Sequence, residues 1–127
     1  MIKRILVIDD DEAIRKVFLL ALEETQFQVD TVSSGEKGIE MVQEQSYDLI
    51  YLDLKMPGMS GVDTLKKLRT INPDVPVYII TAYYGEFAEQ LSQAQEDGLK
   101  FEIMMKPLTM GQLVCLTRGI LEGAALC

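Results

Sequence analysis

Six side chains able to hold a cation or contact a phosphate fall immediately after short apolar runs. Asp9, Asp10 and Asp11 follow the run 5–8, Asp53 follows 47–52, Thr81 follows 77–80, and Lys106, ahead of Pro107, follows 101–105. A single Asp in such a place commonly caps the next helix. Only one of three successive Asp can do so, and the other two repel it. Converging carboxylates raise one another's pKa unless a cation offsets them. Lys106 supplies one positive charge, and a hard divalent ion would supply the rest. Mg²⁺ suits carboxylate, carbonyl and water ligands and keeps positions open for a phosphate, so these residues predict a Mg²⁺–phosphate site.

The elements that must position them read as five apolar runs alternating with five amphipathic stretches. The run Ile5-Leu6-Val7-Ile8 is continuous and β-branched, as in a strand buried on both faces of a parallel sheet. Ile14, Val17, Phe18, Ala21 and Leu22 then recur at helical spacing. A strand near 29–32 leads to a helix opened by Ser33, with Glu36 three residues on as a capping box. Ser34 and Gly35 belong to the same capping segment. The run 47–52 predicts the third strand, followed by a helix that Ser60 or Asp63 caps and that carries Val62, Leu65 and Leu68. Asn72-Pro73-Asp74 marks the turn out of it. Strands at 77–80 and 101–105 flank a helix striped by Phe87, Ala88, Leu91 and Ala94 and ended by Gly98. Thr109 with Gln112 opens the last helix, through Leu113, Leu116, Ile120 and Leu121. Such alternation builds a parallel sheet with helices on both faces through right-handed crossovers. In open sheets of this kind ligands bind at the carboxyl ends of the strands, where the six side chains lie. Residues 1–127 read as one domain, a single (βα)5 unit.

Composition narrows the chemistry. The chain has 127 residues, no His, 2 Cys, and 12 Lys+Arg against 20 Asp+Glu, for a net charge of −8. Without an imidazole, Ser-His-Asp hydrolysis, His-ligated zinc and phosphohistidine transfer from within the chain are excluded. Cys115 and Cys127 cannot make a disulfide framework, which predicts a reducing, cytoplasmic setting. Cys115 reads as a buried small apolar residue. The acidic balance argues against direct binding of nucleic acid or anionic lipid, and no apolar run approaches the ~18 residues of a membrane span. Met104, Met105 and Met110 read as core filling, and Glu23, Glu24, Glu86, Glu89 and Glu96 as solvated helix surface.

Four motifs in order carry a family resemblance: Val7-Ile8-Asp9-Asp10-Asp11, then Asp53-Leu54-Lys55-Met56-Pro57-Gly58-Met59-Ser60-Gly61, then Ile80-Thr81-Ala82, then Lys106-Pro107. Over about 3–121 the chain resembles the receiver domain of bacterial two-component response regulators, the single-domain chemotaxis type. The resemblance implies a flavodoxin-like α/β fold, a doubly wound parallel five-stranded sheet of order 2-1-3-4-5. It implies that Asp53 accepts a phosphoryl group from a histidine kinase or phosphotransfer protein in a Mg²⁺- or Mn²⁺-dependent reaction. Asp10, Asp9 (directly or through a water), Asp53 and the backbone carbonyl of Lys55 would hold the ion. Lys106 would contact a phosphoryl oxygen, Thr81 would donate its hydroxyl to the phosphate, and the Lys106-Pro107 peptide would be cis. The phosphorylated state would switch binding of a downstream protein or output domain through the face of the fourth helix, fifth strand and fifth helix. The resemblance thus implies a phosphoacceptor regulator that assists its own phosphorylation and dephosphorylation, and not an enzyme.

The chain departs from the family pattern at two places. The aromatic switch position three before the Lys is Ile103, which leaves Tyr83 and Tyr84 to take over part of that reporting. The stretch 81–106 is a few residues longer than usual, which predicts that the fourth helix and following loop, 85–100, are offset or mobile. Lys55 and Tyr83, two residues past the acceptor Asp and the Thr, are long side chains that would shield an acyl phosphate and slow its loss. An alternative, a haloacid-dehalogenase-type phosphohydrolase with Asp9 as nucleophile and Asp11 two residues on, fits that spacing. It has Ala13 where that family prefers Thr or Val, and it leaves Asp53 without a role.

Overall fold

The structure is a computed structural model, and residues 2–123 are described. Ten elements alternate: β1 (Arg4–Ile8), α1 (Glu12–Leu22), β2 (Gln28–Val32), α2 (Gly35–Glu44), β3 (Leu49–Leu52), α3 (Gly61–Ile71), β4 (Val77–Thr81), α4 (Tyr84–Glu96), β5 (Glu102–Met105) and α5 (Met110–Glu122). All strand pairs are parallel, in the order β2-β1-β3-β4-β5. This is the doubly wound flavodoxin-like arrangement the alternation predicts.

Two cores follow from the period of two along each strand. Leu6, Ile8, Ile50, Leu52 and Ile79 face one side, against Val62, Leu65 and Leu68 of α3 and Leu91 of α4. Ile5, Val7, Leu49, Tyr51 and Ile80 face the other, against Phe18 and Leu22 of α1 and Leu113 of α5. Because both faces are covered, the central strands read as unbroken apolar runs. Each fully buried Leu or Ile adds roughly 1.5–3 kcal/mol. Among the described residues no helix is long and apolar enough to cross a membrane.

Four helices begin on a side-chain cap. Asp11 accepts from the Ala13 amide, Ser34 from Lys37, Ser60 from Asp63, and Thr109 from Gln112 in a full capping box. The cap of α2 is therefore Ser34 and not Ser33, since the strand extends to Val32 and the helix starts only at Gly35. The third strand begins at Leu49 rather than at 47. Tyr47 is buried with its hydroxyl donated to Asp30 Oδ2 at 2.7 Å. The fifth begins at Glu102 rather than at 101. Met105 and Met110 are exposed, against the expectation of core filling, while Met104 packs against the core. Cys115 is half-buried rather than buried and is not a free thiol, and Cys127 lies outside the described residues.

Candidate functional site

Sheet register gathers the polar side chains. Ile8 of β1 pairs with Leu52 of β3, so Asp9 and Asp53 leave neighbouring strands at the same level. The Asp53 amide donates to Ile8 O at 2.9 Å, which continues that alignment one residue past the strands. Thr81 of β4 pairs with Met105 of β5, and the Lys106 amide donates to Thr81 O at 2.9 Å. The Lys106-Pro107 peptide is cis.

Asp9, Asp10, Asp11, Asp53, Lys55, Tyr83 and Lys106 line one cleft of about 690 Å³. Lys106 Nζ lies 3.0 Å from Asp9 Oδ2 and 3.5 Å from Asp53 Oδ1. Asp9 and Asp53 are buried, while Asp10 is exposed at the rim. One carboxylate oxygen from each of the three lies within 4.8 Å of the others. Burial, then the charge of Asp9, pushes the Asp53 carboxyl up to about 6, against the opposing pull of Lys106. Burial works against the Lys106 ammonium, but its hydrogen bond and attraction to Asp9 and its attraction to Asp53 outweigh that and raise its pKa.

The structure separates the roles of the three successive Asp. Asp11 turns its carboxylate back to cap α1, and its own amide donates to Asp9 Oδ1 at 2.9 Å. Asp11 thus lines the cleft with its carboxylate engaged as a cap, while Asp9 and Asp10 are the two that group with Asp53. Three carboxylates against one ammonium leave net negative charge in a partly buried cleft. An all-oxygen donor set of this kind fits a hard divalent ion with open positions.

Thr81 is wholly buried and is not among the cleft-lining residues. Its Oγ1 accepts from the Tyr83 amide at 2.8 Å. Ile103 is half-buried against the core beside Ile79, away from the cleft. Tyr83 reaches the cleft, and Lys55 Nζ sits 4.5 Å from its ring centroid.

Three residues support the site in ways that local spacing does not show. Arg15 donates to Asp9 O at 2.8 Å and steadies the first acidic turn. Its position one helical turn from the cap is the only available signal. Gly61 lets the loop after β3 fold back: a Cβ there would lie 2.2 Å from Asp53 O and 2.6 Å from Leu54 Cα. Glu86, expected to be plain solvated surface, pairs with Lys55 at 3.3 Å.

The fold and the acidic cleft together define a class: a doubly wound α/β domain carrying a carboxylate-and-lysine pocket at the carboxyl edge of its sheet. Within that class the chain belongs to the response regulator receiver domain family, which it matches over residues 5–118. It is 35% identical over 109 residues to the transcriptional regulatory protein ZraR of Escherichia coli (strain K12), covering 86% of this chain and 24% of that protein. It is 40% identical over 78 residues to the cell cycle transcriptional regulator CtrA of Caulobacter vibrioides, covering 61% of this chain and 34% of that one. The matched stretch thus spans only about a quarter of the first relative's length and about a third of the second's. In structure it is similar to a CheY-like response regulator receiver domain protein from Methanospirillum hungatei JF-1, with TM-score 0.85, 25% identity, and 97% and 96% of the two chains covered. The chemotaxis protein CheY4 of Vibrio cholerae shares the fold, with TM-score 0.81, 22% identity, and coverage of 95% and 100%.

Proposed function

We propose that the domain is the phosphoacceptor of a cytoplasmic two-component system, with Asp53 taking a phosphoryl group from a phosphohistidine on a kinase or phosphotransfer protein. The observation that carries this reading is Lys106 Nζ poised between Asp9 and Asp53, at 3.0 and 3.5 Å, in a cleft with Asp10 at its rim. In the transfer an Asp53 carboxylate oxygen forms a bond to phosphorus. The bond from phosphorus to the donor imidazole nitrogen breaks, and that nitrogen keeps the electron pair and takes a proton from solvent. Most of the catalysis in such a transfer is positioning and charge stabilisation. Lys106 supplies a fixed positive charge toward the incoming phosphoryl oxygens, and the Thr81 hydroxyl, already an acceptor from Tyr83, keeps its proton to donate.

Asp9, Asp10, Asp53 and the Lys55 carbonyl would hold Mg²⁺, or Mn²⁺ in its place. When bound, the ion would neutralise phosphoryl charge and allow Asp53 to remain an anion among carboxylates. The phosphorylated state would then alter contact with a downstream protein or a linked output domain, which the −8 charge makes a protein rather than a nucleic acid. The test is incubation with acetyl phosphate and Mg²⁺ followed by mass spectrometry. We expect one phosphoryl group per chain on Asp53, lost in Asp53→Asn. A label on Asp9, or labelling undiminished by that substitution, would overturn the assignment.

A further inference from the structure

Lys55 lines the same cleft as Asp53, yet its ammonium is committed elsewhere. It lies 3.3 Å and 3.5 Å from the two carboxylate oxygens of Glu86 and above the ring of Tyr83. Both partners belong to the entry of α4. The N-cap of that helix, Tyr83, makes no side-chain capping bond, whereas the other four helices each have one. Apart from Lys55, the side-chain hydrogen bond on this turn is the Tyr83 amide donating to Thr81 Oγ1. The first turn of α4 therefore depends on two groups, the Lys55 ammonium, whose residue lines the same cleft as Asp53, and the Thr81 hydroxyl at the end of β4.

We infer that Lys55 acts as a latch on α4, holding its first turn through Glu86 and Tyr83 until a phosphoryl group on Asp53 draws the ammonium away. This inference rests on the phosphoacceptor reading above and adds a coupling route that does not use an aromatic residue at Ile103. Relative strengths favour the exchange. The Lys55–Glu86 pair is half-exposed on both sides, and pairs of that kind hold weakly. A phosphoryl group carries up to two negative charges and three acceptor oxygens, so it outcompetes a single solvated carboxylate for the same ammonium. Glu86 is then left without its cation at the start of an uncapped helix. The turn loses its Tyr83 amide contact as well if Thr81 reorients, and α4 becomes the element that reports phosphorylation.

Hydrogen exchange across 83–91 tests the latch, in wild type and Glu86→Gln, each before and after acetyl phosphate with Mg²⁺, with label content followed by mass. Unphosphorylated Glu86→Gln should exchange about threefold faster in this segment than wild type, the scale set by a weak ion pair. Phosphorylated wild type should match it, and phosphorylation should add little to the variant. Equal exchange in the two unphosphorylated proteins would overturn the latch. A wild type labelled at Asp53 whose first α4 turn stays protected removes the release alone. A wild type that takes no label removes the phosphoacceptor reading and the release with it, while the unphosphorylated arm reports separately on whether the pair holds the helix.

Discussion

Asp53 illustrates how a site residue can oppose the stability of its own fold. Its carboxyl, ordinarily near 3.8, is pushed up to about 6, first by burial and then by Asp9. A carboxyl with a folded value above its unfolded one binds its proton more tightly in the folded chain. Stability from this group therefore falls as pH rises from about 4 to about 6 and levels off above. The displacement corresponds to about 3 kcal/mol. Lys106 stays charged throughout that window and offsets part of the cost. We predict that, in metal-free buffer at pH 7, Asp53→Asn is more stable than wild type by on the order of 1–3 kcal/mol. The advantage should shrink toward zero as pH falls through 6 to 4. Urea denaturation at four or five pH values measures it, and an advantage that grew at low pH would contradict the sign.

At the scale of elements, the site is held by the way the loop after β3 turns into α3. The Gly61 amide donates to Leu54 O at 2.8 Å, which closes the loop directly behind Asp53. Gly58 supports the same turn with φ of 77°. Because a Cβ at 61 would meet backbone atoms at 2.2 and 2.6 Å, nothing flexible can yield. Gly61→Ala should cost more than about 2 kcal/mol in a thermal or urea melt and should displace Asp53, lowering phosphoryl uptake in the fraction that folds. A variant with wild-type stability would show that the loop can open without cost. The motif with Gly58 and Gly61 was visible in the sequence, but the reason for Gly61, a backbone lying against its α-carbon, is a through-space fact. Likewise the choice of Ser34 over Ser33 as cap depended on where β2 ended.

Across the whole molecule, the excess of negative charge at the strand ends predicts stabilisation by a divalent ion. At a hundredfold excess over its dissociation constant, Mg²⁺ should stabilise the domain by about 2.7 kcal/mol, with the gain removed by EDTA. Asp10→Asn, a rim substitution away from both cores, should leave the metal-free melting temperature near wild type and abolish most of the Mg²⁺ shift. A full shift in that variant would place the ion elsewhere. The sequence alone determined the alternation of elements, the two-faced core and the residues at the strand ends, because burial on both faces writes itself as unbroken apolar runs and strand ends follow from those runs. Tertiary structure alone decided which Asp turns to cap α1, that the Thr81 hydroxyl accepts from the Tyr83 amide, and that Glu86 is joined to Lys55. Those outcomes depend on side-chain directions and on parallel register between strands far apart in the chain, and local spacing carries no record of either.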